Sequence, residues 1–171
     1  MDIYQLIEHR KSVRHYKPDE IDKDTLERVM NAARLAPSGS NRQPWKFILV
    51  SDPATRDKMV PLCCRQKFIA EAPLAVVACA LPTEGAVGGV LPTGVVDTSI
   101  AVTQLMLAAT HEGLGTCWVG AFEAEPLKKL LAIPQDVAVV AVVPIGYPVD
   151  DTRSAKSRKS FAEIICEESY K

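Results

Sequence analysis

Two stretches of the chain show no polar alternation at all: LAVVACA at residues 74–80 and VAVVAVVPI at residues 137–145. Apolar runs of that length, bounded by turn residues, predict strands buried on both faces. A shorter run, KFILV at residues 46–50, predicts another strand, closed by Ser51, Asp52 and Pro53. Helical spacing takes over elsewhere. Ile3, Leu6 and Ile7 mark a short amphipathic helix ending near His9 to Lys11, and Leu26, Val29, Met30, Ala33 and Leu35 mark a second, capped by Asp22 or Asp24. Residues 97–111 are apolar on almost every helical face, through Ile100, Val102, Leu105, Met106, Leu107, Ala108 and Ala109. Such a helix is buried all round, in a central core or at a subunit interface, and Gly113 and Gly115 stop it. Residues 123–131 predict one more short helix. The Gly- and Pro-rich residues 81–96 between strand and helix read as a flexible loop or a reduced lid, since GAVGG lacks the strand, spacing and acidic residue of a dinucleotide fingerprint.

At 171 residues, with no linker or repeat, the chain is a single domain over residues 1–171, long enough to bury about two thirds of its unfolded surface. A formal net charge of -1 gives no reason to expect nucleic acid or a membrane surface as partner. Charges in MDIYQLIEHRKSVRHY occupy the place where a signal peptide needs an apolar core, so the expectation is a cytoplasmic protein. Five cysteines without a CxxC pair or zinc-ligand spacing agree with a reducing compartment and with no metal. Cys79 and Cys117 sit in apolar runs as small core residues. The adjacent Cys63 and Cys64 are either an ordinary structural pair or redox-active.

Chemistry concentrates in three places. APSGSNRQPW at residues 36–45 puts Pro37 and Gly39 among Ser38, Ser40, Asn41 and Gln43. The proline ends the preceding helix, the glycine permits backbone angles other residues avoid, and the hydroxyls and amides suit a heteroaromatic edge of alternating N–H and C=O groups. The same residues also suit a helix-stop loop for purely local reasons. In RKSVRHYK at residues 10–17, Arg10, Lys11, Arg14, His15 and Lys17 surround Ser12, and alternation puts Ser12, Arg14 and Tyr16 on one side. That makes either an anion site or a solvated charge run. The tail carries Arg153, Lys156, Arg158 and Lys159 before Phe161, Ile164 and Ile165.

The order of these blocks resembles the FMN-dependent nitroreductase family: RKSVR, a helix, APSGSNRQPW feeding a strand, LAVVACA after Glu71, Ala72 and Pro73, a long helix ending in HEGLGTCWVGAF, and Lys156, Ser157 and Arg158 near the end. The resemblance implies an α+β fold with a mixed β-sheet flanked by helices, in an intertwined homodimer with FMN at the interface. It assigns Arg10, Ser12, Lys156 and Arg158 to the flavin phosphate and ribityl chain, with Lys11 in the same basic group. Arg14 would lie near the N1 and C2 carbonyl side. Pro37, Ser38, Gly39, Ser40 and Asn41 would approach from the partner subunit, with Gln43 supporting that loop. Gly120 and Ala121 would lie near N5, and Gln66 would reach the pyrimidine edge. No protein side chain would be catalytic, the flavin carrying the chemistry, so His9, His15 and His111 need no catalytic role. The implied activity is two-electron, ping-pong reduction of a small-molecule acceptor, such as a nitroaromatic or quinone, with NADH or NADPH as donor. Other readings on the same residues are an enone reductase, a dehalogenase, a flavin-cleaving enzyme, or a flavin-binding or redox-sensing protein with little turnover. The short 81–96 segment, where larger members carry a helical excursion, leaves the acceptor open.

Overall fold

Strand β2 (Leu74–Ala80) is buried along its whole length because helices cover both faces of the sheet it centres. The computed structural model describes residues 1–150 and 156–170. In chain order the elements before β2 are α1 (Ile3–His9), α2 (Lys23–Arg34), β1 (Trp45–Val50), α3 (Pro53–Leu62) and α4 (Phe68–Glu71). After it come β3 (Ala86–Val87), β4 (Leu91–Pro92), α5 (Thr93–His111), β5 (Gly115–Thr116), α6 (Ala124–Leu130), β6 (Ala138–Gly146) and α7 (Phe161–Ile164). The main sheet has the order β1-β2-β6-β5, its neighbours antiparallel, and a parallel bridge from Ser12 to Thr116 gives its edge a mixed character.

The period-two geometry of β2 divides the core. Leu74, Val76 and Ala78 pack with Val29 and Ala33 of α2 and Ala101, Val102 and Leu105 of α5. Ala75, Val77 and Cys79 meet Met59 of α3, Ile69 of α4 and Leu127 of α6 on the other side. An α+β fold with a sheet flanked by helices, which the resemblance implies, is therefore what forms. Cys79 and Cys117 are core residues, each 2% exposed.

Several expectations need correction. Ser51, Asp52 and Pro53 do more than close β1: the Asp52 side chain accepts from Thr55 N–H and Pro53 opens α3, a helix the turn reading passed over. Residues 81–96 are not one loop. They hold the β3–β4 hairpin, and α5 begins at Thr93, four residues before Asp97. Within one chain α5 is covered on most faces but not all, which sets aside the central-core alternative and leaves the subunit-interface one standing. Ile100 is 38% exposed, and Thr103 one turn on is exposed, so one stripe of the helix lacks an intrachain cover. Nearby α1 packs on α5 and leaves Ile3, Tyr4 and Ile7 exposed. At its far end α5 stops as Gly113 predicts. The φ of +76° there lets Leu114 N–H reach Ala109 O at 2.8 Å and Gly113 N–H reach Thr110 O at 3.2 Å.

Candidate functional site

The segment after α1 runs along the sheet edge because Val13 N–H donates to Thr116 O at 2.9 Å and Lys17 N–H to Tyr147 O at 2.8 Å. Ser12 and Arg14 stay exposed on either side of buried Val13. Tyr16 does not join them, contrary to simple alternation. It is 6% exposed, and its hydroxyl donates to Val13 O at 2.7 Å, with Pro144 O also in range at 3.2 Å. Burial is the main cause that raises its pKa above the ordinary tyrosine value, so the phenol stays protonated.

The ends of the chain meet here. Lys156, though 146 residues away in sequence, donates its ammonium to Arg10 O and, at 2.7 Å, to Glu8 O. Its pKa is held below the ordinary lysine value by burial and then by the charges of Arg10, Arg158 and Lys11. Arg10, Lys11, Lys156 and Arg158 therefore form one cationic group whose mutual repulsion a bound anion would relieve. Arg153, in the same tail, lies outside the described residues. A second set gathers at Cys117. Burial raises this thiol, while Arg14, a hydrogen bond with Ser12, and Arg10 act in the opposite direction. Beside Ser12, Thr116 is 1% exposed and its hydroxyl has no hydrogen-bond partner. A phosphate ester fits this donor set: guanidinium and ammonium groups, a serine hydroxyl and an orphaned threonine hydroxyl.

Arg14 extends the group toward α4, its guanidinium 6.0 Å from the centre of the Phe68 ring. Gln66 lies on the connection into α4 with its amide turned back on Cys63 O at 3.1 Å. Gly120 and Ala121 follow the Val119–Val142 bridge, and Glu123 N–H to Leu62 O at 2.8 Å fastens their segment beside the end of α3. A Cβ on Gly120 would meet Trp118 Nε1 at 3.4 Å, an ordinary contact, so this backbone lies open for reasons other than crowding. Cys63 is fully buried, and burial pushes its thiol up to about 11, so at neutral pH it offers no thiolate beside exposed Cys64.

The Ser38–Gln43 loop sits elsewhere in the chain, bonded to α5 and the hairpin. Pro37 follows the end of α2 as expected, but the backbone freedom is not spent at Gly39. Ser40 (φ 52°), Asn41 (φ 54°) and Gln43 (φ 51°) are the left-handed residues. Each such non-glycine residue costs on the order of 1–3 kcal/mol, strain of the kind concentrated at ligand-binding sites. Gly39 serves close approach instead: its Cβ would lie 3.2 Å from Thr93 Cγ2, and its N–H lies 3.2 Å from both carboxylate oxygens of Asp97, which is 5% exposed. Sequence reading passed over Asp97 as the start of α5, although an acid in so apolar a helix was a visible signal. Gln43 turns inward, donating from its backbone to Ser38 Oγ at 2.9 Å and from its amide to Asn41 O at 3.0 Å, which supports the loop.

A helix-flanked antiparallel sheet, with cations from residues 10–14 and 156–158 gathered at one edge, defines an α+β protein with a basic candidate site. The model of the nitroreductase family matches residues 7–89 and 62–147, and the chain belongs to that family. It is 35% identical over 151 residues to an Archaeoglobus fulgidus protein with the provisional name NADH dehydrogenase/NAD(P)H nitroreductase, 86% of each chain being covered. It is 31% identical to the FMN reductase [NAD(P)H] of Bacillus subtilis, covering 95% of this chain and 71% of that one. Among solved structures it is similar to a nitroreductase family protein from Clostridium novyi NT, with a TM-score of 0.84, 33% identity, and coverage of 95% of this chain and 98% of that one. The chain is thus an oxidoreductase of this family. Among the described residues no helix is long and apolar enough to cross a membrane, and no group of three or more metal-ligating side chains occurs.

Proposed function

We propose that the protein is an FMN-dependent NAD(P)H oxidoreductase that reduces a nitroaromatic, quinone or similar small acceptor by two electrons in ping-pong fashion, as a cytoplasmic homodimer. The observation that carries this reading is the convergence of Arg10, Lys11 and Arg158 around Lys156 at the sheet edge. Bound FMN would supply the redox chemistry, taking hydride from NADH or NADPH and passing it on. The protein's part is to bind and orient. Arg10, Lys11, Lys156 and Arg158, with Ser12, would neutralise the phosphate. Arg14 would place a fixed cation at the pyrimidine edge, where reduction puts negative charge. Gln66, Gly120 and Ala121 would border the ring from the same subunit.

Pro37, Ser38, Gly39, Ser40 and Asn41, held by Gln43, would approach the ring from a second subunit. Two features support that division. In one chain this loop is fastened to α5 and the hairpin, away from the cationic group. The exposed apolar side chains Ile3, Ile7 and Ile100, with Phe161, Ile164 and Ile165 of the tail, also supply a surface suited to a second copy.

The first test is the anaerobic visible spectrum of the purified protein, before and after NADH and then NADPH. A flavin spectrum that bleaches supports the proposal and identifies the better donor; absence of flavin, with none taken up on adding FMN, overturns it. The phosphate assignment has its own test in the Arg10→Ala/Arg158→Ala variant. Two charge-assisted contacts at about 1.5 kcal/mol each correspond to a roughly hundredfold loss of FMN affinity. Unchanged affinity in a folded double variant would reject that assignment.

A further inference from the structure

The β3–β4 hairpin is anchored at its base and tied to the Ser38–Gln43 loop through Arg42. Leu81 N–H donates to Pro44 O at 2.9 Å. Thr83 Oγ1 accepts Gly94 N–H at 3.1 Å, capping a helix whose N-cap, Pro92, offers no side-chain acceptor. Thr93 Oγ1 reaches back to Gly85 O at 3.2 Å, and Gly94 is needed here because a Cβ would lie 2.7 Å from Leu81 O. The first of these bonds fixes the root of the hairpin to the chain just before β1, and the other two fix it to α5. A further link is Arg42, which leaves the strained loop and donates to Glu84 O at 2.9 Å. Beyond that bond the hairpin turns through Gly88 and Gly89 and presents Val87, Val90 and Leu91, which are 49%, 80% and 56% exposed.

We infer that Arg42 is a positioning residue for the acceptor: it sets the hairpin against the Ser38–Gln43 loop so that Val87, Val90 and Leu91 form an apolar wall favouring uncharged, planar, lipophilic acceptors over hydrophilic anions. This rests on the reading of that loop as part of the flavin site. Arg42 itself belongs to neither the phosphate group nor the ring-contacting set. Its bond to Glu84, next to Gly85 with its φ of +94°, selects one position of the hairpin relative to the loop, while the three root contacts keep the hairpin folded. A single hydrogen bond from an exposed arginine biases such an equilibrium by a factor of about three to ten.

The experiment compares the wild-type holoenzyme with Arg42→Ala and Arg42→Lys, using menadione as the lipophilic acceptor and ferricyanide as the hydrophilic one. In Arg42→Ala the KM for menadione should rise about three- to tenfold. The ferricyanide KM, FMN affinity and rate of flavin bleaching by NADH should stay as in wild type. Arg42→Lys, which can still donate to the Glu84 carbonyl, should recover most of the loss. Amide hydrogen exchange, read without turnover, should speed up over residues 84–91 in Arg42→Ala and remain unchanged in the middle of α5. Equal shifts for both acceptors, an unchanged menadione KM, or loss of FMN from the variant would each overturn the inference. A wild-type protein that neither holds nor bleaches flavin would instead overturn the functional reading beneath it, whatever the hairpin does.

Discussion

Replacing Gly115 by alanine tests how the cationic segment is held to the sheet. A Cβ at this position would lie 2.6 Å from Val13 Cγ2 and 2.8 Å from Val13 Cβ and Cγ1, about 0.8 Å inside the onset of ordinary contact at the closest point. Val13 cannot simply swing away. It is 7% exposed and packed with Tyr16 and Ala72, and its N–H is bonded to Thr116 O. The clash therefore pushes residues 12–14 off β5 or distorts the strand. Overpacking of this kind costs about 1–3 kcal/mol. In a chain of this size that is a fall in Tm of roughly 3–10 °C. Because Ser12 and Arg14 flank Val13, FMN affinity should fall as well, by several-fold. Thermal melts followed by circular dichroism, paired with spectral titration by FMN, read both effects. Gly120→Ala is the control: its Cβ meets Trp118 at ordinary distance, so its Tm should stay within about 1 °C of wild type. If Gly115→Ala melted like the control, the close packing of Val13 on β5 would be refuted. A lowered Tm with unchanged FMN affinity would refute the link from that packing to the cofactor site.

Tyr16→Phe should lower stability by about 1–2 kcal/mol, because it strips the hydroxyl from the buried carbonyls of Val13 and Pro144 without changing the packed ring; denaturant unfolding measures it, and an unchanged midpoint at unchanged slope would contradict it. Asp22 caps α2 through Thr25, whose hydrogen bonds hold its carboxyl below the ordinary aspartate value. A depressed carboxyl contributes stability that is present above its unfolded pKa and lost as pH falls through the folded one. Asp22→Ala should therefore melt below wild type at pH 7, and the gap should close on acidification below about pH 4, toward the lowered folded value. A gap of constant size between pH 7 and pH 3 would show that the charged cap is not its source.

The elements legible in the sequence were those whose signal is local. LAVVACA could only be a strand buried on both faces, Asp22 could cap α2 because its partner is three residues away, and Gly113 could stop α5 because the left-handed turn lies within the chain's own helix end. The basic residues at 10–14 and 156–158 were legible as candidates, through residue type and family resemblance. Their meeting was settled by packing, because Lys156 reaches the carbonyls of Glu8 and Arg10 from 146 residues beyond Arg10 in the chain. The same reason explains the misreadings. Tyr16 left its alternating set because two backbone carbonyls, one of them 128 residues away, offered its hydroxyl a buried partner. Gly39 gave up the role its backbone freedom suggested because a helix lies against it, and Ser40, Asn41 and Gln43 took the left-handed angles instead. Local patterning determined which segments become helices, strands and turns. Long-range packing, through contacts no local window contains, decided which cations share one site and which loop stands apart from it.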